Sequence, residues 1–529
     1  DNPYRQVMVS AREMQPSNLP PNSQTFVNRH FKYTHGYGAV LNLVNEFTEE
    51  GLPRLLIKDI PPVSLPGHLE IERPEIYYGQ LTDHFVVVNS SEEEFDYPSG
   101  DQNIYAHYEG SGGVQITGLW RKFLYGYRYG GTRLFFSGYP TDQSRIMIHR
   151  QISERLRRLT PFLQFDEDPY IVIAEGKMYW IMDAYTTSRY YPYSEPFSSF
   201  ETTDGVMSRA GVRLHGENYI RNSVKIVVDA YSGEVDFYIF EEEDPLVRVY
   251  DRIFPGLLKS SDEMPEALYR HVRYPVDMLL VQGLVYGKYH MTDPTVFYNQ
   301  EDLWVRATEK YYNNVQPVEP YYIMWVPPGS DEMEFVLILP FTPKNKQVMI
   351  GWIAGMSDQE DYGRFLAYQF PKEKRILGTQ QVETKIDQDS YLSGQLTLWD
   401  QRGSNVIRGN VLAIPVARTI LYVEPIYLMS ETSAYPELRL VAVMHNDNLS
   451  YAETFEEALR GLFTGTGPGP EGEPGLTGME TTRELIDRAN QAFENYLENM
   501  QQKQFGEAGN NLQELEDLLN QLATGSEEN

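Results

Sequence analysis

Apolar and β-branched residues fall in short runs closed by turn formers over most of the first half of the chain. Phe85 to Val88 ends at Asn89, and Tyr170 to Ile173 runs into Glu175-Gly176-Lys177. Such spacing from about Ile71 to Tyr238 predicts antiparallel hairpins. The clearest has arms Val224 to Tyr231 and Glu234 to Ile239 around Ser232-Gly233. Ser144 to Leu163 carries Ile146, Ile148, Ile152, Leu156 and Leu159 at helical spacing, which predicts an amphipathic helix stopped near Pro161. A second helix is expected over Met264 to Tyr286, starting behind Ser260-Ser261-Asp262, with Pro265 in its first turn and Pro275 breaking or kinking it.

Strand signals return at Tyr321 to Trp325, Glu334 to Leu339, Val348 to Ala354, Gly363 to Gln369 and Leu412 to Val423, which predicts a second sheet. Thr464 to Gly475 is then almost entirely Gly, Pro and Thr with two Glu, a linker with nothing to bury. Beyond it Leu485, Ile486, Ala489, Phe493 and Leu497 form one helical stripe, and Leu512, Leu515, Leu519 and Leu522 another, with Gly506 and Gly509 between. This predicts a helical hairpin that must dock on the body or on another chain, since it cannot bury its stripes alone. The expected class is α+β, with mostly antiparallel sheets, helical insertions and the C-terminal hairpin. Its parts are a β-rich region at 1–255, a helical insertion at 256–320, a second β-rich region at 321–463, the linker at 464–480 and the hairpin at 481–529.

A chain of 529 residues is too long for one growing core, so packed modules are expected. Asp and Glu outnumber Lys and Arg 75 to 45, and the net charge of -30 disfavours nucleic acid as a partner. There is no cysteine, which removes disulfides, thiolate metal sites and thiol nucleophiles. No apolar run reaches bilayer length; Phe335 to Phe341, for example, is short and contains Pro340. The opening at Asp1 has neither the basic nor the apolar region of a signal peptide, so it reads as an excised product that something precedes.

Several long stretches together resemble uncharacterised protein family 0182, a set of bacterial multi-pass membrane proteins. They are Phe26 to Gly38, Ile57 to Pro62, Glu94 to Pro98, Asp168 to Tyr170, Trp180 to Ser188, Asn218 to Lys225, His271 to Pro275, Tyr289 to Met291, Gly403 to Asn410 and Leu421 to Pro425. The likeness runs from about Arg5 to Phe463. It implies transmembrane helices in an N-terminal part that this chain lacks, and a place for this chain on the extracytoplasmic face of the plasma membrane. The family has no agreed activity, so the resemblance transfers no catalytic residue.

Candidate chemistry is sparse. His30 and His35 lie close together, with His84, His107 and His290 elsewhere, but a separation of five lacks the helical spacing of a zinc pair, and structural hydrogen bonding is the reading preferred. Asp96 and Asp101, beside Glu92 to Glu94, and Asp166 with Asp168 supply the hard oxygen ligands that calcium takes, although acidic runs are more often solvated turns. Asp183, Asp229, Glu217 and Glu424 sit in or beside apolar strands, where burial raises a carboxyl pKa; Arg189, Arg221, Arg273 and Arg408 are available as partners. Tyr185, Tyr190, Tyr191 and Tyr193 offer stacking faces for a sugar or a protein. The function expected first is a cell-envelope scaffold that assembles with itself as a homo-oligomer, or with a glycan or protein partner. The alternative is an envelope glycan hydrolase using paired carboxylates.

Overall fold

The computed structural model of the chain describes residues 5–65, 69–199, 214, 216–311, 314–327, 332–358, 361–400, 403–416, 419–430 and 435–464. The chain divides into two compact units, Asp1–Gly467 and Pro468–Asn529, and the described residues all belong to the first. Apart from Thr464, the expected linker and the helical hairpin lie outside the described residues.

The unit is α+β. A four-stranded sheet (Val7–Ala11, Ala39–Phe47, Pro53–Lys58, Val63–Ser64) faces a six-stranded sheet built on Lys177–Ser188 and Tyr219–Asp229. Strand pairing in the six-stranded sheet is antiparallel except where Val235–Ile239 meets Leu258–Ser260 in parallel. Period-two alternation explains how that sheet buries both faces. Val224, Ile226 and Val228 join Trp180 and Met182 in the core shared with the N-terminal sheet. The odd positions Val227 and Ile181 join Val172, Leu268 and Val272 on the opposite side. Lys225 and Asp183 belong to this odd set, which is why a charged pair ends up inside.

The expected hairpin forms, with Val228 opposite Val235 and Val227 opposite Asp236. Its loop is longer than two residues, because Asp229 and Glu234 pair outside the turn through Asp229 N–H to Glu234 O at 3.0 Å. Gly233 adopts a φ of 71°, and a Cβ there would stand 2.5 Å from the Tyr78 ring. The position therefore needs glycine on both conformational and steric grounds.

The helix expected over Ser144 to Leu163 forms only at Ile152–Leu159. Arg145–Met147 is a strand between Val86–Val88 and Val114–Gln115, and His149 takes a left-handed φ of 50°. Val87, Ile146 and Met147 are all fully buried there, so sheet pairing outcompetes the helical stripe. The second expected helix is broken at Pro275, into Glu266–Tyr269 and Val276–Tyr289.

Val276–Tyr289 is the central helix. It packs on Leu337, Leu339, Phe341 and Ile353 of a five-stranded sheet (Trp304–Arg306, Tyr321–Trp325, Glu334–Pro343, Gly351–Met356, Phe365–Gln369). Burial of each such side chain is worth about 2 kcal/mol. Gly287 permits the close approach, since a Cβ would meet the Trp304 carbonyl oxygen at 2.6 Å. The other face of this sheet, through Val336 and Ile338, shares a core with helix Thr379–Gln388 and a second five-stranded sheet containing Thr419–Ser430 and Glu437–His445. The run expected as one strand from Leu412 to Val423 is two paired strands, Leu412–Val416 and Thr419–Ser430.

Candidate functional site

Most of the carboxylates singled out in the sequence are bound to partners within the fold. Asp183 lies directly across from Lys225 in the six-stranded sheet and forms an ion pair with it, and both side chains are buried. Burial raises the Asp183 carboxyl while Lys225 opposes the shift; burial likewise lowers the Lys225 ammonium. Asp166 accepts the Tyr185 hydroxyl at 2.5 Å and the Asp168 N–H at 2.9 Å, and burial with the neighbouring Asp183 charge pushes it up to about 6. Asp168 meets Arg273 at 2.6 Å, and Arg273 lies over the Tyr170 ring at 4.0 Å. Asp229 accepts the N–H groups of Tyr231 and Ser232 at 2.8 Å each, a turn-former's role. Glu217 stands 3.7 Å from Arg189, and Glu424 pairs with Arg408.

The calcium candidates do not converge. Asp96 binds His35 Nε2 at 3.1 Å, and Asp101 is exposed in the turn joining Glu94–Ser99 to Gln102–Ala106. Among the described residues no group of three or more His, Asp or Glu side chains is placed to hold a metal ion. His30 stacks on Phe85 at 4.0 Å and hydrogen-bonds its carbonyl at 2.7 Å, while His290 binds the Tyr286 carbonyl at 3.0 Å.

Two cavities among the described residues carry the remaining candidate chemistry. The first, of about 750 Å³, is lined by Lys310, Glu383, Asp387, Ser393, Asp400 and Arg408 among others. Glu383 and Asp387 stand one turn apart on Thr379–Gln388, so both reach the same side. Glu383 accepts the Lys310 N–H at 2.9 and 2.8 Å, and burial, with Glu424 and Glu309 nearby, pushes it up to about 8. Burial acts on Asp387 in the same direction, but Arg408 at 2.6 Å and Lys310 at 3.0 Å hold it below the ordinary carboxylate value. The proton affinities of these two carboxyls are therefore driven apart, Glu383 upward and Asp387 downward. Sequence reading selected Glu424 and Arg408 but missed Glu383 and Asp387, although their separation of four on a helix was the available signal.

The second cavity, of about 730 Å³, opens between the segment around Tyr191 to Phe197, the start of strand Tyr219–Asp229 and the central helix. Tyr191, Tyr193, Tyr219, Tyr286, Tyr289 and Phe365 line it, with Glu195, Asn218, Arg221 and Gln282 as polar neighbours. Its rim is held in place. Asn218 accepts the Tyr191 N–H at 3.0 Å and donates to the Tyr191 and Ser194 carbonyls at 2.8 and 3.1 Å. Tyr191 and Tyr219 stack at 5.5 Å and 16°. Glu195 is fixed by Lys288 and by the Tyr289 hydroxyl, each at 2.9 Å. Tyr193 stays fully exposed with a φ of 59°. The four tyrosines grouped in the sequence thus separate: Tyr185 is in the core, Tyr191 and Tyr193 line this groove, and Tyr190 is exposed but outside the lining.

A model of an uncharacterised protein family, UPF0182, matches residues 1–399. A UPF0182 protein of Pelotomaculum thermopropionicum is 45% identical over 98% of this chain and 56% of its own length. One from Trichodesmium erythraeum is 44% identical over 100% of this chain and 58% of its own, and one from Methanospirillum hungatei is 46% identical over 88% and 51%. The chain spans a little over half the length of these curated relatives. No solved structure matches. The chain belongs to the uncharacterised protein family UPF0182.

Proposed function

We propose that this chain is the extracytoplasmic part of a membrane-anchored envelope protein and works as a scaffold that grips a glycan. The observation that carries this reading is the tyrosine groove. Aromatic faces stack on the apolar faces of sugar rings, and Asn, Gln, Glu and Arg side chains meet hydroxyl groups. Groove residues already pinned by Asn218 and Glu195 lose little freedom on binding. Homo-oligomerisation through the helices expected at 481–529 belongs to the same reading.

Calorimetric titration of the chain with soluble envelope oligosaccharides tests it. Binding weakened about tenfold or more by Tyr191→Ala with Tyr289→Ala is expected, because two aromatic contacts at about 0.5 to 1.5 kcal/mol each sum to roughly the 1.4 kcal/mol that a tenfold change needs. Absence of binding, or equal binding by the double variant, would overturn it.

A second reading is favoured by the glutamate pocket. Carboxyls with proton affinities driven apart are the pattern of an acid and base pair, with Glu383 as acid and Asp387 as the ionised partner of a glycan hydrolase. Release of reducing ends that Glu383→Gln abolishes would replace the scaffold reading with this one.

A further inference from the structure

We infer that the segment from Gly118 to Phe136 is a docking surface for an anionic phospholipid bilayer, lying flat on the headgroup region. It consists of helix Gly118–Tyr125, a wider turn at Gly126–Gly130 and helix Gly131–Phe136. Its apolar side is turned outward. No residue of helix Gly118–Tyr125 is buried, and Leu119, Trp120 and Leu124 are 78%, 70% and 46% exposed. Tyr127, next along the chain, is 84% exposed.

At about 100° per residue, Leu119, Trp120, Phe123 and Leu124 occupy an arc of roughly 140° on the helix surface. Arg121 and Lys122 fall just beyond its two edges. This is the reverse of a helix that packs its apolar stripe on a core. Trp120 and Phe123 stack at 5.8 Å, forming one broad plate.

The inner side holds the segment to the body by other residues. Leu134 and Ile116 are buried against Phe31, Val87 and Ile146, with Tyr125 packed beside them. Lys122 Nζ donates to the Pro140 carbonyl at 2.9 Å. The outward plate is therefore presented by a fixed base.

Charge selects the occupant. Between Glu109 and Asp142 the chain has no acidic residue and four basic residues in this segment, Arg121, Lys122, Arg128 and Arg133, although its net charge is -30. Tryptophan and tyrosine favour the bilayer interface, and the exposed Arg121 and Arg128 extend their charges to headgroup phosphates while their stems lie along the apolar edge; Lys122, turned back to the Pro140 carbonyl, adds its charge from behind. Only charges within a Debye length of the surface act strongly on it, so this local patch outweighs the distant acidic remainder. A two-fold contact with a second copy is disfavoured, because it sets the basic patch against itself.

The inference deepens the proposed membrane location and does not depend on the groove, so its failure would leave the glycan titration untouched. Flotation of the chain with phosphatidylcholine vesicles, with and without about a third phosphatidylglycerol, tests it. Expected are flotation with the anionic vesicles, loss of most of it in high salt, and at least a tenfold fall in the bound-to-free ratio for Leu119→Glu with Trp120→Glu. A second measurement leaves the plate itself intact. Of the six tryptophans Trp180, Trp304, Trp325 and Trp352 are buried and Trp399 is half-buried beneath Arg439, so quenching of tryptophan emission by brominated lipid should come mainly from Trp120, and a Trp399→Phe background isolates it. Absence of flotation, flotation unchanged in the variant, or emission unaffected by brominated lipid would each overturn the inference. So would a lipid-free oligomer that the double substitution dissociates, which would make the plate a protein interface.

Discussion

Replacement of Lys225 by Met should cost the chain about 3 to 5 kcal/mol, the price of leaving one member of a buried ion pair unmatched. The Lys225 side chain is 0% exposed and that of Asp183 4%, and their strand positions face each other, so neither charge can reach water by a rotamer change. Lys225 also sits over the Tyr362 ring at 4.8 Å, a contact the Met side chain retains only as apolar packing. With about 2.1 cal/mol/K per residue of unfolding entropy, a body of this size has a slope near 1 kcal/mol per degree, so the melting temperature should fall by about 3 to 5 °C. The pH dependence is specific. Burial already raises Asp183 above its unfolded value, and removal of Lys225 raises it further. A raised carboxyl contributes stability below the unfolded pKa and loses it as pH rises, so the deficit of Lys225→Met should be smallest in acid and grow toward neutral pH. Lys225→Met with Asp183→Leu, which removes both charges, should recover most of the loss. Near-ultraviolet circular dichroism melts of the three proteins between pH 4.5 and 8 are the assay, about the range over which a displaced carboxyl titrates. A single variant that melts with the wild type, or a double variant worse than the single, would refute the reasoning.

Glu383 stands at about 8, so its contribution to stability is present in acid and is lost as pH rises from the unfolded value through 8. Relative to Glu383→Gln, the wild type should therefore lose about 2 kcal/mol between mild acid and pH 8.5, a figure reduced from the full shift because the carboxyl lines an open pocket; chemical denaturation across pH checks it. Gly287→Ala should lower stability by about 1 to 3 kcal/mol, since the new Cβ would strike the Trp304 carbonyl, and an unchanged melting curve would contradict the packing. Limited proteolysis should cut first between Thr464 and Gly475, on the strength of the Gly and Pro composition alone; mass spectrometry of the first stable fragment decides the point.

Local periodicity made much of the fold legible. The arms of the 219–239 hairpin, the break at Pro275 and the strands around 321–369 follow from residues that are neighbours in sequence. The stretch Arg145 to Ile148 was misread because Ile146 and Ile148 fit a strand as well as a helix, and only the distant partner Val86–Val88 decides between them. Of the site, tyrosines at 191 and 193 and the pairing of carboxylates with arginines were visible as residue types. Their assignments were not: Asp183 took a lysine, and Tyr185 turned inward to Asp166.

Acidity, the absence of thiol chemistry and many of the strands of the body were written in the chain, because charge, composition and the repeats of two and 3.6 residues are local properties, whereas helices such as Gly118–Tyr125 and Thr379–Gln388 were not expected from it. Tertiary structure decided which distant groups meet. Asp183 and Lys225 are 42 residues apart, Lys310 and Asp387 77, and the groove joins the region near Tyr191 to Tyr289 and Phe365. Such meetings depend on strand register and on which face of each sheet the helices cover, and a one-residue slip would send strand side chains such as Asp183, Lys225 and Lys310 to the other side.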